Sequence, residues 1–153
     1  MAKDTNNRLQ IELHVPDFDT VLDFYGKLGF TKVWHRSEKT NADYLVMERD
    51  HVVLCFWPGN DTVYEQSYFK QFPKDTKRGY GVELVIPVED IDAYYKEVKQ
   101  FAKIVGKFVK RPWGLKDFRI EDPFGYYLRF TERHDITDPS WAVPDGEVDP
   151  DEA

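Results

Sequence analysis

The residues of this chain that could do acid–base or ligand chemistry sit in two strand-like runs about 70 residues apart. Ile11-Glu12-Leu13-His14-Val15-Pro16 is answered by Val82-Glu83-Leu84-Val85-Ile86-Pro87. Alternation puts Gln10, Glu12 and His14 on one strand face, with Glu83 the matching carboxylate of the second run. No partner for His14 is visible in the sequence, so it reads as a hydrogen-bonding strand residue in preference to a catalytic base. The single cysteine, Cys55, is placed on the core side of its strand as an inert buried thiol. There is no Ser-His-Asp pattern, phosphate-binding glycine loop or nucleophile motif, so nothing supports covalent chemistry. Trp113 lies in a loop-like Pro112-Trp113-Gly114, an awkward place for core packing, and contact with a ligand stands there beside a structural role.

Each polar run needs elements to hold it. A repeat of this length, present twice, is too long and too sparse for a solenoid and reads as two copies of one module. In the first copy a strand over 8–15 ends at Pro16, and Asp17 caps the helix that follows. Phe18, Val21, Leu22, Tyr25 and Leu28 share one face of that helix, and Gly29 stops it. Strands are expected over 30–36, 42–48 and 51–57, the last two forming a hairpin around Arg49-Asp50. A long connection, 58–79, carries a short helix around Tyr64 to Phe72. The second copy has a strand over 80–88, a helix over 90–102 and strands over 104–110, 116–121 and 126–131. Ile91, Tyr94, Tyr95, Val98 and Ala102 form the buried stripe of its helix, and Asp122-Pro123-Phe124-Gly125 joins the last two strands. The order is βαβββ, twice: an α+β fold.

At 153 residues the chain suits one compact domain with a real core. The expected organisation is a single domain over 1–133, with modules at 8–57 and 80–132, followed by an acidic tail, 134–153. That tail holds seven acids and no Lys or Arg, which leaves the body neutral with 21 acids against 21 bases. Trp141 and Val143 could still dock on the body. No basic run with interleaved aromatics favours nucleic acid. No apolar run of about 18 residues suits a membrane, and no signal-peptide pattern opens the chain. The expectation is a soluble cytoplasmic protein.

Val15-Pro16-Asp17, Asp23-Phe24-Tyr25 and Leu28-Gly29-Phe30, then Pro112-Trp113-Gly114, Phe118 and Asp122-Pro123-Phe124-Gly125, form an ordered set. This set resembles the vicinal oxygen chelate superfamily of glyoxalase I, extradiol dioxygenases and bleomycin resistance proteins, and its closing segment is similar to that of the bleomycin resistance proteins. The resemblance covers roughly residues 8 to 132. It implies a concave groove of mixed sheet lined by Gln10, Glu12, His14, Leu54, Phe56, Glu83, Tyr127 and Arg129. It also implies a homodimer in which the first half of one subunit faces the second half of the other.

The superfamily's enzymes usually hold a divalent metal at four strand positions, which map here to Gln10, Leu54, Glu83 and Arg129. Leucine has no lone pair and arginine is a permanent cation, so no ordinary site of that kind, and no cofactor, is expected. The implied ligand contacts are Trp113, Trp34, Phe56, Glu12, His14, Glu83, Tyr127, Arg129 and Phe118. Glu83 and Arg129 are also expected to pair with each other. The resulting expectation is a metal-independent protein that sequesters a bulky, planar, cationic antibiotic or metabolite. The competing reading is a glyoxalase-like lyase or dioxygenase with an unusual site rebuilt from Glu12, His14 and Glu83.

Overall fold

The computed structural model describes residues 9–36, 43–58 and 64–141. Val143 and the acidic stretch 142–153 lie outside the described residues, as do 1–8, 37–42 and 59–63. The chain forms two compact units that divide between Thr76 and Lys77, inside the long connection.

The first unit contains β1 (Glu12–Val15), α1 (Phe18–Lys27), β2 (Thr31–Arg36), β3 (Tyr44–Arg49) and β4 (Val52–Pro58). The second contains β5 (Leu84–Val88), α2 (Ile91–Val98), β6 (Lys103–Lys110), β7 (Lys116–Glu121) and β8 (Tyr127–Glu132). Each unit is one four-stranded mixed sheet, β1-β4-β3-β2 in the first and β5-β8-β7-β6 in the second. In each, the first strand runs parallel to the fourth and the other pairings are antiparallel. This is the expected α+β order, two βαβββ modules.

Local chemistry explains the boundaries. Asp17 is extended and its carboxylate accepts from Thr20 N at 2.7 Å, capping α1. Gly29 leaves the helix at φ 98°, where a side chain would be strained. Asp50 turns the β3–β4 hairpin with φ 52°, a conformation Asp tolerates better than most residues. Both first strands are shorter than expected, because β1 and β5 keep only the length that pairs with β4 and β8. The described part of the connection contains a 3-10 turn, Phe69–Gln71.

One face of each sheet packs on its helix. In the first unit Tyr25 is fully buried and sits edge-on to Phe56 and Phe30, with Val21, Leu28, Leu45 and Met47 around them. In the second, Tyr94 and Tyr95 of α2 meet Phe118, and they contact Phe130 and Phe108 respectively.

The register of the two modules differs from the wording of the repeat. Helix caps fall at Asp17 and Asp90, and the preceding strands end at Val15 and Val88, an offset of 73 residues. Gln10 is therefore the counterpart of Glu83. The literal match of Glu12 to Glu83 is two residues out, which preserves the strand face and so hides the slip.

Replacing Asp17 with alanine is expected to cost about 1 kcal/mol of stability at neutral pH. The hydrogen bonds to Thr20 hold its carboxyl below the ordinary 3.8. A depressed carboxyl stabilises the fold above its unfolded value and loses that contribution as pH falls through the folded one. The difference between wild type and variant should thus shrink below about pH 3.8. Urea unfolding of both proteins across that range measures it.

Candidate functional site

Paired residues on neighbouring strands share a face, so the sheet registers reveal which side chains stand opposite the helices. In the first unit Glu12 pairs with Cys55, Cys55 with Val46, and Val46 with Trp34. Glu12, His14, Trp34, Tyr44 and Cys55 accordingly share the helix-free face. Tyr44 donates its hydroxyl to Glu12 at 2.7 Å, and Trp34, 46% exposed, stacks on the Tyr44 ring. Burial, then contacts with the Cys55 thiol and the Glu12 carboxylate, push the Tyr44 phenol well above its usual range. His14 lies edge-on to Trp57, with the Phe69 ring 5.3 Å away.

Two expected site residues of this unit are on the other face. Leu54 and Phe56 point at α1 and are buried, with Phe56 against Tyr25. The run Val52–Trp57 is apolar almost throughout, so alternation could not show which residues face in. Cys55, placed on the core side from sequence, is on the helix-free face beneath Tyr44 and is nonetheless buried. Because Glu12 pairs with Cys55 and Val85 with Arg129, Cys55 is the first-unit counterpart of Arg129, a position the sequence reading gave to Leu54.

The helix-free face of the second unit carries a chain of charges. Arg111 Nε donates to Asp117 Oδ1 at 2.7 Å, and Arg111 Nη2 donates to Lys107 O at 3.0 Å. Arg119 Nη1 reaches the same Asp117 oxygen at 3.5 Å, while Arg119 Nε donates to Glu83 at 2.8 Å. Arg129 Nε stands 3.7 Å from that Glu83 oxygen, and its guanidinium lies over the Trp113 ring, 5.7 Å from the centroid. Burial raises the Asp117 carboxyl, with the guanidiniums of Arg111, Arg119 and Arg129 opposing it. Burial also works against the Arg119 charge, but the hydrogen bond to Glu83 and the fields of Asp117 and Glu83 outweigh it and hold that pKa above normal.

The expected pairing of Glu83 with Arg129 therefore exists only as the longer of two contacts. Arg119, the closer partner, lies 36 residues from Glu83 and carried no signal in the sequence. A β-bulge around Gly106 makes room for it: a Cβ on Gly106 would lie 2.8 Å from the Arg119 Cβ. Phe118 was a candidate ligand contact, but it is fully buried among Tyr94, Tyr95, Phe108 and Phe130. It alternates with Asp117 and Arg119, so the face that carries the charges excludes it. Tyr127 is 37% exposed and pairs with Glu121 across the β7–β8 ladder.

Beside Arg129 lies a cavity of about 200 Å³ lined by Trp113, Leu115, Arg129, Thr131, His134, Ile136 and Trp141. Its outer wall is the segment read from sequence as the start of the acidic tail. That segment is held by Trp141 Nε1 donating to Asp135 O at 2.7 Å and by the Trp141 and His134 rings, 4.6 Å apart. The sequence reading allowed Trp141 to dock on the body, and it lines this cavity with Trp113, while the alternation and charge of the stretch gave no sign of His134 or Ile136 there.

The donor set does not suit a divalent ion. Glu83 is shared by two guanidiniums, and Arg129 occupies one of the four expected positions. Among the described residues no three His, Cys, Asp or Glu side chains converge. Glu12 and His14 are likewise engaged, by Tyr44 and by Trp57 and Phe69.

Two βαβββ modules with polar and aromatic side chains on their helix-free faces define a paired-module α+β protein of the glyoxalase and bleomycin-resistance kind. The family profile of the Glyoxalase/Bleomycin resistance protein/Dioxygenase superfamily matches residues 8–130, and the chain belongs to that superfamily. Similar solved structures include UcmS2, at 23% identity and a TM-score of 0.67, covering 84% of this chain and 100% of that one. The bleomycin resistance determinant encoded on the transposon Tn5 is 21% identical, with a TM-score of 0.59 and coverage of 84% and 99%. A bleomycin-binding protein complexed with bleomycin is 20% identical, with a TM-score of 0.56 and coverage of 84% and 100%. These identities establish a shared fold. No curated protein matches the sequence. No described helix is long and apolar enough to cross a membrane.

Proposed function

We propose that this protein binds a bulky planar small molecule of the kind taken up by bleomycin resistance proteins, and holds it by stacking without turning it over. The observation that carries this reading is the second-unit cavity, whose walls are two indoles, a leucine and an isoleucine, with Arg129, Thr131 and His134 among them. Binding sites for flat molecules have this composition, because each aromatic face adds roughly 0.5–1.5 kcal/mol beyond simple burial. A bound bleomycin in a protein of the same fold supports a small-molecule role. The arginines around Glu83 support metal independence, since they already satisfy the carboxylate a metal would need. The first unit, taken by itself, offers a surface suited to a cation, where exposed Trp34 stacks on Tyr44 beside the Glu12 carboxylate. The proposed working form is a homodimer.

Tryptophan fluorescence provides the test, because Trp113 and Trp141 line the cavity. Titration with bleomycin and a set of planar compounds is expected to give saturable quenching in the micromolar range, and Trp113→Ala to weaken binding by about tenfold. Metal content and mass by light scattering are measured on the same sample. Absence of saturable quenching by any compound at ~100 micromolar, a ligand free energy of only about −5.5 kcal/mol, would remove the binding role. Stoichiometric tightly held metal would favour an enzyme instead.

A further inference from the structure

Arg129 is a weakly compensated charge on the helix-free face of the second unit. Among the described residues it meets one carboxylate, Glu83, which it shares with Arg119. Asp117 is shared by Arg111 and Arg119. Glu83 gives its short contact to Arg119 at 2.8 Å and leaves Arg129 at 3.7 Å. Arg129 Nε is sealed from solvent and has no hydrogen-bond partner among the described residues. The side chain is nevertheless 23% exposed and lines the cavity, so its accessible part lies there. Arg129 thus brings a weakly compensated positive charge to a recess walled by Trp113 and Trp141.

The polar groups around it leave that charge in place. Asp135, the nearest acid in the outer wall's sequence, turns its carboxylate onto the Thr137 amide and hydroxyl at 2.9 and 2.6 Å. Trp141 spends its indole N–H on Asp135 O, and His134 Nδ1 lies against Glu132 O at 2.9 Å, where that nitrogen must donate. The indoles therefore offer faces, with Trp113 set directly beneath the guanidinium.

We propose that this cavity receives a planar carboxylic acid, with Arg129 as counter-ion of the carboxylate and Trp113 and Trp141 walling its ring. A monoanion matches the one guanidinium that lines the cavity. A phosphate dianion would ask for a second cation, and neither a lysine nor another arginine lines the cavity. The size agrees: a dry cavity of roughly 150 Å³ holds a benzene ring, and about 200 Å³ leaves space for a carboxylate as well. Ile136, 74% exposed, stands at the edge, where the rest of a larger ligand would leave. This assignment rests on the planar-ligand reading above and adds the charge of the group that enters the second unit.

Calorimetric titration of the full chain with 2-naphthoate and with its neutral isostere 2-naphthamide separates the two ideas. Wild type is expected to bind the acid at least about tenfold more tightly than the amide, the usual scale of a charge-assisted hydrogen bond. Arg129→Met should erase that preference, the acid then binding no more tightly than the amide. Arg129→Lys should keep part of it, because charge remains and the planar fork does not. Trp113→Ala should weaken both ligands alike. Thermal melts check that each variant is folded. Equal binding of acid and amide to wild type would overturn the carboxylate assignment and leave the planar-ligand reading standing. Binding of neither compound would count against both.

Discussion

Phe118→Ala should destabilise the protein by about 3–5 kcal/mol, the range for removing a large aromatic from a packed core. The ring has no exposed surface and touches Tyr94, Tyr95, Phe108 and Phe130, so truncation leaves a hole that four aromatic neighbours cannot all collapse into. The motif that contains Phe118 led to its assignment as a ligand contact, and the two placements make opposite predictions. A contact on the helix-free face would lose binding with little loss of stability. A core ring would lose stability first, with an unchanged dependence on denaturant. Urea unfolding decides between them. A loss under about 1 kcal/mol, together with abolished ligand quenching, would return Phe118 to the site.

Asp117→Ala is expected to cost a similar amount, about 3–5 kcal/mol, for an electrostatic reason. Asp117 accepts the Nε hydrogen bond of Arg111 at 2.7 Å, and the Arg111 side chain is only 2% exposed. Truncation takes that carboxylate away from a guanidinium that water cannot reach. It also frees Arg119 to shift, which should loosen Glu83. The raised pKa of Asp117, driven by burial, signals a desolvation cost that pairing has not fully offset. The pair should therefore be replaceable as a unit though not by halves. Arg111→Met combined with Asp117→Leu is expected to recover most of the stability that the single change loses. A double variant as unstable as Asp117→Ala would show that the pair itself, beyond mutual compensation, holds the second unit together.

The local elements of this protein were legible because short-range chemistry specifies them. Asp17 caps a helix through a residue three positions away, Gly29 ends it by its own backbone freedom, and Asp122-Pro123-Phe124-Gly125 turns within four residues. These interactions need no distant partner. The repeated order of strand, helix and three strands follows from them, as does the superfamily.

The candidate site was less legible, since its decisive contacts join residues far apart in the chain. A uniformly apolar run such as Val52–Trp57 has no periodicity, so only pairing with β1 and β3 could show that Cys55 faces away from α1 while Leu54 and Phe56 face toward it. The charge relay Arg111–Asp117–Arg119–Glu83 depends on ladder register and on the space left at Gly106. The cavity depends on Trp141 folding back to its own Asp135 carbonyl and on Trp113 meeting Arg129.

By itself, then, the order of amino acids determined the elements and their kinship, because capping and turning act over three or four residues. Which faces those elements present, and how Glu83 is divided between Arg119 and Arg129, was decided only when β1 met β4 and Glu83 met Arg119, 36 positions away. If Arg129 proves indifferent to an acid in the recess, its charge has been misread, and the aromatic walls alone must account for what is held there.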